Sequence, residues 1–147
     1  SWGREGLFVA VKNTTGMEHT MELILENAHN PNLKISNGFD SLALSALASG
    51  ADALINAGSN ITPRQYVKIY ELAKEGKYEE ARRIYEEILP ILLYQEKDGN
   101  TEPGLCKYCL NLQGFDCGVP RKPVPEVSEE AKRTAEKLLK KAENVKC

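Results

Sequence analysis

At 147 residues and 16.3 kDa the chain has the length of one ordinary domain, enough to bury a core without a metal or disulfide staple. Nineteen Lys and Arg stand against 21 Asp and Glu, and a net charge of -2 supplies no excess positive field, so neither nucleic acid nor anionic lipid is an expected partner. The longest mainly apolar stretches, such as residues 51–57, fall far short of the roughly 20 that span a bilayer, so the expectation is a soluble protein with no membrane association.

The chain opens Ser-Trp-Gly-Arg-Glu-Gly, with no initiator Met and no basic and apolar signal regions, and reads as a cut. Residues 7–11 form a continuous apolar run ended by a charged residue and a Thr-Thr-Gly turn, which predicts a strand buried on both faces. A crossover helix follows over residues 17–29, with Met17, Met21, Ile24, Leu25 and Ala28 at helical spacing and Asn30-Pro31 closing it. Residues 33–37 predict a second strand, residues 40–49 a helix carrying Leu42, Leu44 and Leu47, and residues 51–57 a third strand. Strands alternating with helices at this short spacing imply an α/β fold with a parallel sheet and right-handed crossovers.

From Thr62 the pattern is helical only. Thr62 can cap, Pro63 suits the first helical position, and Tyr66, Ile69, Tyr70 and Ala73 make an apolar stripe that Gly76 ends. Ala81, Ile84, Tyr85, Ile88 and Leu92 carry the next helix, over residues 78–95, with Pro90 inside it as a kink. A loop rich in Gly, Asn and Pro precedes a short helix over residues 105–112, residues 120–125 are extended, and Ser128 with Glu130 opens a final charged helix to residue 143. The stretch from Tyr70 to Ala81 is like one tetratricopeptide helix-turn-helix, but such repeats need about three stacked copies to bury a core.

Cys106, Cys109, Cys117 and Cys147 crowd into the last third, whereas a secreted disulfide framework is denser and more evenly spread, which predicts a reduced, cytoplasmic setting. Cys106 and Cys109 form a C-x-x-C, but a zinc site needs a second close pair, and His19 and His29 lie far upstream. Small buried thiols are common in cores, so the expectation is structural cysteines and no metal.

Ligands of a parallel β/α protein bind at the carboxyl ends of the strands. The residues there are Lys12, Asn13 and Thr14 after the first strand, Asn37, Gly38, Phe39 and Asp40 after the second, and Ala57, Gly58, Ser59 and Asn60 after the third. Alternation puts Phe8, Ala10 and Lys12 on one face of the first strand, with Leu7, Val9 and Val11 on the other. A lysine at that place, under apolar neighbours, loses the water that favours its charged form, and a neutral amine can attack a ketone.

The run Phe8-Val9-Ala10-Val11-Lys12-Asn13-Thr14-Thr15-Gly16 resembles the sixth barrel strand of the dihydrodipicolinate synthase and N-acetylneuraminate lyase family of class I, Schiff-base aldolases. Asn37-Gly38-Phe39-Asp40 resembles the Asn-Gly-Tyr-Asp turn after strand seven of the lyase branch, and Gly50 through Asn60 resembles strand eight and its loop. Pro63 through Ala81, Gly104 through Gly114 and Arg121-Lys122-Pro123 are similar to the helical tail.

The resemblance implies a partial (β/α)8 TIM barrel: residues 1–61 supply strands six to eight, and residues 62–147 the last barrel helix and a C-terminal helical region. It implies Lys12 as the catalytic imine former, Thr14 holding the substrate beside it, Gly38 and Asp40 contacting sugar-acid hydroxyls, and Ile55 acting through its backbone carbonyl. From the residues alone, Gly38 serves equally to permit the turn and Asp40 to cap the following helix. Ser41 stands where neuraminate lyases have an acid and Ala57 where they have a serine, which favours a shorter 2-keto-3-deoxy sugar acid over sialic acid.

The expected activity is carbon–carbon bond cleavage or formation on a small-molecule 2-oxo acid derived from pyruvate, with no cofactor. The family's carboxylate-binding Gly-Thr-Thr-type loop after strand two and its strand-five tyrosine have no counterpart in these residues. The expected partner is therefore a complementary N-terminal half-barrel or, in a homo-oligomer, a further copy. The alternative is a non-catalytic half-barrel, truncated or engineered, that assembles through its strand edges.

Overall fold

A computed structural model describes residues 6–28, 32–97 and 102–147. The elements run β1 (Ala10–Asn13), α1 (Met17–Asn27), β2 (Lys34–Asn37), a single 3-10 turn (Asp40–Leu42), α2 (Ala43–Ala48), β3 (Ala53–Leu54), α3 (Gly58–Ile61), α4 (Pro63–Lys74), α5 (Tyr78–Glu96), α6 (Glu102–Leu112) and α7 (Glu129–Glu143). The three strands form one parallel sheet in the order β1-β2-β3. In register, Lys12 lies beside Ser36 and Ser36 beside Ala53, while Asn13, Asn37 and Leu54 make the next row, whose side chains point to the opposite face.

The first strand differs from expectation. It spans Ala10–Asn13 rather than residues 7–11, and Leu7, Phe8 and Val9 are 65%, 50% and 76% exposed rather than buried on both faces. An edge strand has one neighbour, so apolar character alone does not bury it; pairing begins only where Lys34 N donates to Val9 O and β2 takes over. β3 is also shorter than residues 51–57, although Asp52 N donates to Ile35 O (2.7 Å) and Ile55 N to Asn37 O (2.9 Å), continuing the contact with β2 on both sides of it. The expected helix over residues 40–49 divides into the 3-10 turn and α2. Helix α3 arises in what read as a loop, and α6 starts three residues before residue 105. The Asn30-Pro31 stop and the first five residues lie outside the described residues.

Helix α5 is the hub of the packing. Its buried Ala81, Tyr85, Ile88, Ile91 and Leu92 recur at helical spacing and meet Ala43 and Leu47 of α2, Ile69 and Leu72 of α4, Leu105 and Cys109 of α6, and Ala135 and Leu139 of α7 in one hydrophobic cluster. The helices of the β/α part and those after Thr62 thus share a core. Pro90 faces outward and α5 continues through it to Glu96, while Ser128 Oγ accepts from Ala131 N (3.2 Å) as the cap of α7. Among the described residues no helix is long and apolar enough to cross a membrane.

Ile88 is fully buried at the centre of this cluster. Ile88→Ala should cost about 2–5 kcal/mol in denaturant unfolding, against less than about 0.5 kcal/mol for Leu93→Ala on the exposed side of the same helix. Equal losses at the two positions would show that α5 is not the centre of the core.

Candidate active site at the carboxyl ends of the strands

The chain leaves β1 through a turn held by Asn13, which is 7% exposed. Asn13 Nδ2 donates to Thr20 Oγ1 (2.8 Å) and Gly16 O (3.2 Å), and Thr15 Oγ1 donates to Asn13 Oδ1 (2.7 Å). Gly16 has φ +125°, a conformation that L side chains rarely adopt, which is why a glycine stands where α1 begins. This lacing joins the turn to the first turn of α1 and sets the path on which Thr14 sits. Asn13 is one of the strand-end residues that the sequence places here, whereas its bonding partners are not legible from the chain.

Lys12 and Thr14 are both exposed, and both crowd over Gly38 at the end of β2. A Cβ placed on Gly38 would overlap Thr14 Oγ1 and come within 2.5 Å of Lys12 Cε. The backbone of Gly38 does not lie in the left-handed region, so the glycine is required here by room and not by the turn. Gly38 N donates to Asn13 O (2.8 Å), which draws the two strand ends together. Ile55, at the end of β3, is 53% exposed and its N–H donates to Asn37 O.

Asp40 is placed differently from these four residues. It is 1% exposed, and its Oδ2 accepts from Gly58 N at 2.9 Å while Oδ1 accepts from the Tyr66 hydroxyl. The carboxylate thus caps a helix, but α3 rather than the turn it opens. Tyr85 Oη donates to the Asp40 carbonyl (2.8 Å), and Ser41 N donates to Glu96 Oε1 (3.1 Å). Burial, then the Asp40 charge and the hydrogen bond to it, push the Tyr66 phenol far above its ordinary range. Burial, then Glu96 and Asp40, raise Tyr85 likewise, so both tyrosines remain protonated donors.

Of the cysteines, Cys109 is fully buried, and desolvation with the neighbouring Cys106 raises its thiol to about 12, which keeps it an uncharged core residue. Among the described residues no three His, Cys, Asp or Glu side chains come together as a metal-holding group.

Gly38→Ala should cost about 1–3 kcal/mol in denaturant unfolding, because the added methyl must displace Thr14 and Lys12. The loss should shrink when Thr14→Ala is introduced with it. A neutral Gly38→Ala would mean that the three residues are not in contact.

Residues 6–142 match the Dihydrodipicolinate synthetase family. A 4-hydroxy-tetrahydrodipicolinate synthase of Methanocaldococcus jannaschii is 32% identical over 117 residues, which cover 80% of this chain and 40% of that protein. The crystal structure of dihydrodipicolinate synthase from Aquifex aeolicus superposes with a TM-score of 0.81 at 26% identity, over 92% of this chain and 45% of that one. N-acetylneuraminate lyase from Fusobacterium nucleatum gives 0.75 at 31% identity, over 89% and 44%. A structure of that lyase complexed with pyruvate gives 0.74 at 27%, over 90% and 43%. The chain spans less than half the length of the relatives it matches, between 40% and 48% for the first four sequences. Its α/β fold and its sequence make this chain a member of the dihydrodipicolinate synthetase family, whose named members are synthases and lyases.

Proposed function

We propose that the chain is the C-terminal half of a Schiff-base lyase barrel acting on pyruvate-derived 2-oxo acids, with residues 1–61 as strands six to eight and residues 62–147 as the last barrel helix and tail. The observation that carries this reading is the placing of Lys12 with Thr14 over the bare backbone of Gly38, at the carboxyl end of the sheet where β/α enzymes hold their substrates. Support comes also from the pyruvate-bound lyase relative.

In the completed barrel the lone pair of Lys12 Nζ adds to the C2 ketone, a proton passes from nitrogen to the new oxygen, and the carbinolamine takes up one further proton from solvent and loses water to leave a protonated imine. The imine then accepts the electron pair of the C3–C4 bond as that bond breaks. A base takes the C4 hydroxyl proton, the aldehyde departs, and the enamine is protonated and hydrolysed to pyruvate and free Lys12. By family resemblance that base is a tyrosine of strand five, outside these residues. Thr14 and the Gly38 backbone line the imine carbons, and the Ile55 carbonyl stands beside them. The exposed Leu7, Phe8 and Val9 and the open edge of β1 offer the surface that a complementary half-barrel would cover, and Ile55 is exposed after β3, on the other side of the sheet. The same surface favours, as second reading, a half-barrel that pairs with its own copy without catalysis.

With its N-terminal half restored, the barrel should attach pyruvate covalently at Lys12 under borohydride, and Lys12→Arg should abolish both the label and turnover, because a guanidinium stays protonated. Peptide mapping that finds the label on another lysine would reject the assignment. The 147-residue chain alone should label weakly and turn over nothing, since loss of a positioned acid-base group costs about 10²- to 10⁴-fold.

The preferred substrates are short 2-keto-3-deoxy sugar acids, because Ser41 and Ala57 replace an acid and a serine of the neuraminate lyases. Steady-state kcat/KM should be higher for these acids than for sialic acid; the reverse order would remove the basis for this preference.

A further inference from the structure

Gly38 forms the floor under Lys12 and Thr14, and Asp40 follows it by only two residues, about 7 Å of chain at most. Whatever holds Asp40 therefore holds that floor. Bonds from three elements do so, among them Gly58 N and the Tyr66 hydroxyl on the carboxylate, Tyr85 Oη on the carbonyl, and Glu96 Oε1 on the next amide. Tyr66 and Tyr85 are themselves 4% and 8% exposed, on α4 and α5. The approach is close enough that a Cβ on Gly58 would lie 2.7 Å from Asp40 Oδ1, so this glycine too is required by room.

Completing the barrel adds atoms and removes none, so a carboxylate already 1% exposed is not opened to substrate by the missing half. Lys12, Thr14 and Ile55, by contrast, are exposed in the chain as it stands. We propose that Asp40 is a positioning residue rather than a substrate ligand: with Tyr66, Tyr85 and Gly58 it latches the turn after β2 to the helical tail and so sets the seat of Lys12. The catalytic consequence rests on the imine reading above, whereas the latch itself does not. Hydroxyl recognition at this turn then falls to backbone, which suits a short or sparsely hydroxylated aldehyde partner.

Two readouts keep the two ideas apart. In the chain as it stands, Tyr66→Phe removes one donor from Asp40, and amide exchange at Gly38 and Gly58 should quicken by about tenfold or more while Ala81 and Ile88 stay protected. In the barrel restored with its N-terminal half, Tyr66→Phe and Asp40→Ala should each slow borohydride-trapped attachment of pyruvate at Lys12 by about 10- to 10²-fold, the scale of a misplacement near 1 Å. Asp40→Asn, which still offers an acceptor to Gly58 N–H, should restore most of that rate.

Pyruvate has no hydroxyl chain, so if Asp40 gripped substrate hydroxyls, Asp40→Ala would leave pyruvate labelling at its normal rate and weaken only longer acids. That result, or unchanged exchange at Gly38 and Gly58 in Tyr66→Phe, overturns the latch. No label in the unsubstituted barrel rejects the imine reading instead and leaves the exchange data to decide the latch. Should Tyr66→Phe fail to fold, Tyr85→Phe, which loses the bond to the Asp40 carbonyl together with the Ala43 backbone bond on the same hydroxyl and leaves the carboxylate's own donors in place, allows the same comparison.

Discussion

A carboxylate taken out of water must find donors within the chain, because an unpaired buried charge costs several kcal/mol or more. Asp40 finds them in the amide that opens α3 and in the hydroxyl of α4, while α5 bonds its backbone. These bonds are also what joins the end of β2 to the helices. Deleting one donor leaves the carboxylate less well satisfied, so the junction loosens by more than the loss of one bond would suggest. The raised tyrosines add to this, since burial and the neighbouring carboxylates favour the protonated phenols that donate.

The hydrophobic cluster works in the same direction. Leu92 of α5 reaches the Gly58 backbone next to the bonds on Asp40, so apolar packing and polar bonding fix the same junction. At the far end of the sheet, Asp52 accepts from Ile35 N (2.9 Å) and pairs with Lys34 (3.1 Å), and Tyr70 Oη donates to the Asp52 carbonyl (3.1 Å). Burial pulls the Asp52 carboxyl up, but the Ile35 amide and the Lys34 ammonium outweigh it and hold it below its usual value. The sheet is thereby bonded at both ends, and the end that bears Lys12 is the one held by buried groups.

Much of this was readable along the chain. The alternation of apolar runs with helical stripes announced three parallel strands, and Ser128 announced the start of α7, because both depend on residues near in sequence. The extent of β1 was not readable, since a run such as Leu7-Phe8-Val9 looks the same whether a sheet covers it or leaves it at an edge. Gly38 could be read as a turn glycine, but its actual reason, the side chains of Lys12 and Thr14 lying against it, is a contact across two strands.

The spacing of Lys12, the Asn37–Asp40 turn and the third strand was set by local sequence, because parallel strands with short crossovers bring their carboxyl ends to one side whatever the helices do afterwards. Which of those end residues face open space and which turn inward was decided by tertiary structure alone. Asp40 is polar and adjacent to a candidate site, and nothing in its neighbours along the chain says that Tyr66, 26 positions on, and Tyr85, 45 positions on, will close around it. Burial and hydrogen bonding of that kind depend on how α4 and α5 pack against the sheet, and packing is a property of the folded chain rather than of any segment.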